Sequence, residues 1–67
     1  MKAGVRNNFE GEVVEIKEGS VMAQVKVAAG DYIITSVMTK ESLQEMDLKL
    51  GDRVTALTKA IHVTLVK

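Results

Sequence analysis

The 67-residue chain has no cysteine, no proline and no tryptophan. Without cysteine there can be neither a disulfide framework nor a zinc–thiolate site. Without proline, every backbone N–H stays available for a sheet ladder. The aromatic residues are Phe9 and Tyr32 alone, so the core must be aliphatic. A domain this small buries only about 60% of the surface its unfolded chain exposes. With disulfides and zinc–thiolate ligation excluded, association of copies is the staple that remains.

No charge of one sign dominates: nine basic side chains face nine acidic ones. A nucleic-acid-binding domain shows a basic excess, and single-strand binders stack bases on aromatic platforms. This chain offers neither, and no nucleic-acid partner is expected. No apolar run approaches the roughly 20 residues of a membrane span. The segment Ala3-Gly4-Val5-Arg6-Asn7-Asn8 is not the apolar centre of a secretory signal. A cytoplasmic location without membrane association is therefore expected.

What the sequence does contain is β-branched residues in alternation, which favours strands. Residues 8–17 read as a first strand, with Phe9, Val13 and Ile16 inward. The alternation slips at Val13-Val14, and Gly11 just before it marks a bulge or sharp bend. Glu18-Gly19 signals a turn. Residues 20–28 alternate clearly, with Val21, Ala23, Val25 and Val27 on one face. Gly30-Asp31 is the next turn, and residues 32–38 form a third strand. Thr39 reads as the N-cap of one or two helical turns carrying Leu43 and Met46. Gly51-Asp52 leads into a fourth strand over residues 53–59, and residues 61–66 alternate as a fifth. The expected fold is all-β: a five-stranded, OB-like Greek-key barrel with one short helix between strands 3 and 4. A single domain fills residues 1–67.

Catalysis has little support. The one histidine, His62, has no nucleophile or orienting carboxylate near it in sequence, and no cluster of metal ligands is apparent. The chain reads as a non-enzyme with no direct metal ligands and no organic cofactor. Basic residues at strand ends are more informative. Arg6 precedes the first strand and Lys59 ends the fourth. Arginine offers a planar fork and lysine a point charge, a combination that suits oxyanions. Ser42 adds a hydroxyl early in the helix, where N–H groups favour anions. The plainer alternative is a set of solvated surface cations.

Several short motifs, taken in order, resemble the molbindins, small molybdate-binding proteins built from one Mop (TOBE-type) domain. They are Arg6-Asn7-Asn8-Phe9-Glu10-Gly11-Glu12-Val13, the turn Gly19-Ser20-Val21, Ile34-Thr35-Ser36-Val37-Met38-Thr39, Ser42-Leu43, and Gly51-Asp52-Arg53-Val54-Thr55-Ala56-Leu57-Thr58-Lys59-Ala60. The resemblance implies a homohexamer arranged as a trimer of dimers, with molybdate or tungstate held by hydrogen bonds and charge between subunits. It assigns the oxyanion to Arg6, Ser42 and Lys59, with backbone amides near Asn7, Leu43 and Ala60. A second oxyanion site would lie at Gly19, Ser20 and Val21. Two positions depart from the family pattern: Gly4 stands where many relatives have Ser, and Ile61 where many have Thr. The implied function is cytoplasmic storage or buffering of the oxyanion. The alternative is a structural or interaction barrel with no physiological oxyanion.

Overall fold

The clearest alternation in the sequence produces the most buried strand. In a computed structural model describing residues 6–67, Ala23, Val25 and Val27 are buried while Gln24 and Lys26 turn outward. They lie on β2 (Met22–Ala29), which is flanked by β1 (Asn7–Glu18) and β3 (Tyr32–Thr39). A helix, α1 (Lys40–Met46), follows β3, and β4 (Arg53–Thr58) follows the helix. The four strands form one antiparallel sheet in the order β3-β2-β1-β4. Val13, Ala23, Val25, Val27 and Leu43 make the buried core, and Ile16, Met38, Leu48 and Val54 pack against it.

β1 changes partner along its length. Asn7 to Glu12 pair with β4, and Glu12 to Glu18 pair with β2. The register with β2 slips between Val13 and Glu15, as the break in alternation anticipated. Gly11 sits at the changeover and is buried. A Cβ there would strike the Ala28 carbonyl oxygen and lie 2.7 Å from Val27 Cγ1. Only glycine lets β1 pass this closely over the end of β2. Between β2 and β3 the ladder closes at Ala29↔Tyr32, leaving Gly30-Asp31 as a two-residue turn. Gly30 has φ +61°, the positive value that primed hairpin turns require.

The expected fifth strand is absent among the described residues. Residues 60–62 form a short 3-10 turn (Ala60–His62), and residues 63–67 run on without a ladder partner. Every residue from 59 to 67 is exposed. The segment alternates as a strand does, but a strand needs a neighbour, and within this chain the segment leaves the sheet. The five-stranded Greek-key barrel is thus replaced by a curled, open, four-stranded sheet, with the helix where it was expected. Phe9 and Val21, expected inward, are exposed because both lie beyond the ends of the core. Gly4 lies outside the described residues.

Candidate functional site

The residues expected at the oxyanion fall at the two ends of β1. At its start, Asn7 pairs with Thr58. Arg6 and Lys59 are the next residues outward on the two adjoining chains, and both are exposed. Among the described residues no carboxylate lies within ion-pair distance of either, as is also true of Arg53 and Lys67, while Lys17, Lys26, Lys40 and Lys49 have acidic partners. An anion reached by both would meet two positive charges. Ala60 opens the 3-10 turn, which closes through His62 N–H to Lys59 O (2.9 Å) and Val63 N–H to Ala60 O (3.2 Å). Neither bond uses the Ala60 N–H.

Ser42 lies at the other end of β1. Its helix starts beside the loop between β1 and β2: the Lys40 N–H donates to Val21 O (2.7 Å), and Lys40 Nζ stands 3.8 Å from Glu18 Oε2. Thr39 is the N-cap, accepting from the Ser42 N–H at 3.0 Å. The Thr39 hydroxyl also donates to Ser42 Oγ at 2.9 Å. A hydroxyl carries one hydrogen, so with Oγ already accepting, the Ser42 hydrogen is left to point elsewhere. The sequence showed Thr39 as a cap but not as the group that orients Ser42. The Thr-x-x-Ser spacing, which puts the two side chains one helical turn apart, was the available signal.

Leu43 is buried in the core, so its side chain cannot reach a ligand. Its N–H is four residues past the N-cap carbonyl and is used by the helix ladder. The Gly19-Ser20-Val21 loop borders the same end, with Gly19 N–H donating to Met22 O at 2.8 Å. One chain therefore brings Arg6, Asn7, Lys59 and Ala60 together, and separately brings Ser42 beside residues 19–21. The length of β1 keeps the two groups apart. His62 is exposed on the 3-10 turn, not on a strand. Among the described residues no cluster of histidine and carboxylates could hold a metal ion, and no helix is long and apolar enough to cross a membrane.

Comparison with known proteins gives one picture. The TOBE domain model matches residues 4–65. Molybdenum-pterin-binding protein 3 of Clostridium pasteurianum is 34% identical over 67 residues, covering 97% of each chain. A molybdate binding protein from Sporomusa ovata superposes with a TM-score of 0.94 at 37% identity, over 100% of both chains. The cytoplasmic molybdate-binding protein ModG, crystallised with molybdate bound, gives a TM-score of 0.83 at 38% identity, covering 90% of this chain and 43% of that one. These three relatives are named for binding and not for a reaction.

Proposed function

The chain belongs to the TOBE domain family as a Mop-type member, and from that premise we propose that it binds molybdate or tungstate between the subunits of a homo-oligomer. Its role is storage or buffering of the oxyanion in the cytoplasm, without catalysis. The observation that carries this reading is the juxtaposition of Arg6 and Lys59 at one end of the β1–β4 ladder, without carboxylate partners among the described residues. Two cationic groups balance a dianion. The guanidinium of Arg6 gives two parallel hydrogen bonds, and Lys59 supplies the second charge.

Ser42 completes the site from a neighbouring subunit, because its own chain holds it at the far end of β1. Asn7 and Ala60 contribute backbone N–H groups, and Leu43 contributes position only. The loop at Gly19, Ser20 and Val21 is the second oxyanion site. The family resemblance supports a hexamer, a trimer of dimers, as the assembly, and a site built between subunits exists only when the oligomer closes. The ligand in turn stabilises the assembly by mass action.

Isothermal titration with molybdate, tungstate and sulfate tests the proposal. Donors spaced for the larger anions cannot all reach sulfate, so molybdate and tungstate should bind and sulfate should compete poorly. Equal affinity for all three would reveal a nonspecific basic pocket. No binding of any of them would leave a structural barrel.

A further inference from the structure

On the oxyanion reading given above, on which this inference rests, the groups assigned to the anion share one property: they give hydrogens and do not take them. The guanidinium of Arg6 and the ammonium of Lys59 have donors only. Asn7 and Ala60 contribute backbone N–H groups, and that of Ala60 is not used by the 3-10 turn. Among the described residues no carboxylate stands within ion-pair distance of Arg6 or Lys59. At the Ser42 end, the Glu18 carboxylate is turned to Lys40, 3.8 Å away.

Ser42 is the one member of the set that could do either. Its hydroxyl has one hydrogen and two lone pairs. Thr39 decides between them. The Thr39 oxygen accepts the Ser42 N–H at 3.0 Å, and the Thr39 hydrogen goes to Ser42 Oγ at 2.9 Å. A hydroxyl that accepts is polarised into a better donor. The relay therefore runs from the Ser42 N–H through Thr39 to Ser42 Oγ, and ends on the Ser42 hydrogen. We propose that the site selects tetrahedral dianions whose four oxygens all lack hydrogen, and that Thr39 is the positioning residue that completes the selection by keeping Ser42 a donor.

Molybdate and tungstate are anions of this kind at neutral pH. Hydrogen phosphate and hydrogen arsenate have the same charge and a similar shape, but one oxygen carries a hydrogen that needs an acceptor. The assigned donors outnumber the oxygens, so that oxygen cannot be turned to a side of the site without them. There its hydrogen would meet another hydrogen, and a donor of the site would go unsatisfied, which costs more than a bond merely weakened. Neither size nor net charge makes this distinction.

Selenate and arsenate isolate the effect. They are tetrahedral and nearly equal in size, and in mildly alkaline buffer both are dianions, but only arsenate carries a hydrogen. Each is titrated against the full-length protein loaded with molybdate. Selenate should displace molybdate at a concentration at least about tenfold lower than arsenate needs. Equal displacement, stronger displacement by arsenate, or displacement by neither would overturn the proposal, because size or charge alone would then select. Thr39→Val frees Ser42 Oγ to accept, so the preference for selenate should shrink, while Thr39→Ser should keep it. A merely structural cap would weaken both anions alike, and an unchanged preference in Thr39→Val would overturn the role of Thr39. Molybdate separates the two readings. Failure to bind it would sink the oxyanion reading and this proposal with it, whereas molybdate binding without a preference for selenate over arsenate would sink this proposal alone.

Discussion

The two ends of β1 have opposite characters. At the Glu18 end the groups find partners within the chain. Lys40 faces Glu18, Thr39 caps α1 and engages Ser42, and Leu43 is buried against the core. At the Asn7 end little is satisfied. Arg6 and Lys59 stand side by side, Phe9 and Tyr32 are exposed, and the arm beyond Lys59 lies in solvent. The same strand thus joins a finished part of the molecule to one shaped for contact with something else. A short chain cannot bury everything. Apolar side chains stay exposed at both ends, Val21, Met22 and Met46 at the Glu18 end among them, but the unpartnered Arg6 and Lys59 are at the Asn7 end, where a ligand can use them.

The largest effect should come from breaking the joint between the ends. Gly11→Val would drive a side chain into the Ala28 carbonyl and Val27. Overpacking usually costs about 1–3 kcal/mol, and here the obstacle includes backbone that cannot rotate aside. We expect no cooperative unfolding transition in circular dichroism, with both ends lost together. A normal melt would show that β1 can bend elsewhere.

Leu43→Ala attacks the finished end alone. Deleting a buried leucine to alanine costs about 2–5 kcal/mol, a large fraction of the stability of a domain this size. Urea unfolding should show a clearly lower midpoint. In titration, the fraction that remains folded and assembled should still bind molybdate, because the Leu43 side chain lies in the core. Loss of affinity without loss of stability would reverse that assignment.

Arg6→Ala and Lys59→Ala attack the open end and should do the opposite. Both side chains are exposed, so the melting temperature of the anion-free protein should hardly move. Charged hydrogen bonds contribute roughly 1.5–3 kcal/mol, so molybdate affinity should fall by about tenfold to a hundredfold for each. Arg6→Lys should not restore it, since a point charge cannot reproduce the guanidinium fork. Affinity equal to that of the parent in both alanine variants would move the site elsewhere, first to the Gly19-Ser20-Val21 loop.

The finished end was the more legible of the two in sequence. Alternation located β2, the glycine and the slipped period located the bend in β1, and Thr39 announced the helix. These are local signals, and local structure answers them within one chain. The open end was legible in residue type but not in partnership. The alternation of residues 61–66 is that of a strand, yet alternation says only that a segment needs neighbours, not where they are. Phe9 reads as core for the same reason. Arg6 and Lys59 lie far apart in sequence, and only the β1–β4 register brings them side by side. Ser42, grouped with them by family resemblance, is held at the opposite end, a separation that spacing along the chain does not reveal.

Ser42 sharpens the comparison most finely, because it belongs to the finished end yet is assigned a ligand. Its N–H and its Oγ are both engaged by the Thr39 hydroxyl, at 3.0 and 2.9 Å. The capping role rests on the Thr39 oxygen and the Ser42 N–H, and Ser42→Ala keeps both. Stability should therefore change by less than about 0.5 kcal/mol. The hydroxyl hydrogen would be lost, and one neutral hydrogen bond contributes about 1 kcal/mol. Molybdate affinity should fall roughly fivefold, less than for either cation. Thr39→Val gives the converse: loss of an N-cap costs about 1 kcal/mol of stability, and a Ser42 hydroxyl freed from Thr39 should bind the anion more weakly as well. Titration and urea unfolding of the two variants separate the roles. If Ser42→Ala binds molybdate like the parent while Arg6→Ala does not, Ser42 serves the helix only, and the neighbouring subunit must supply a different donor.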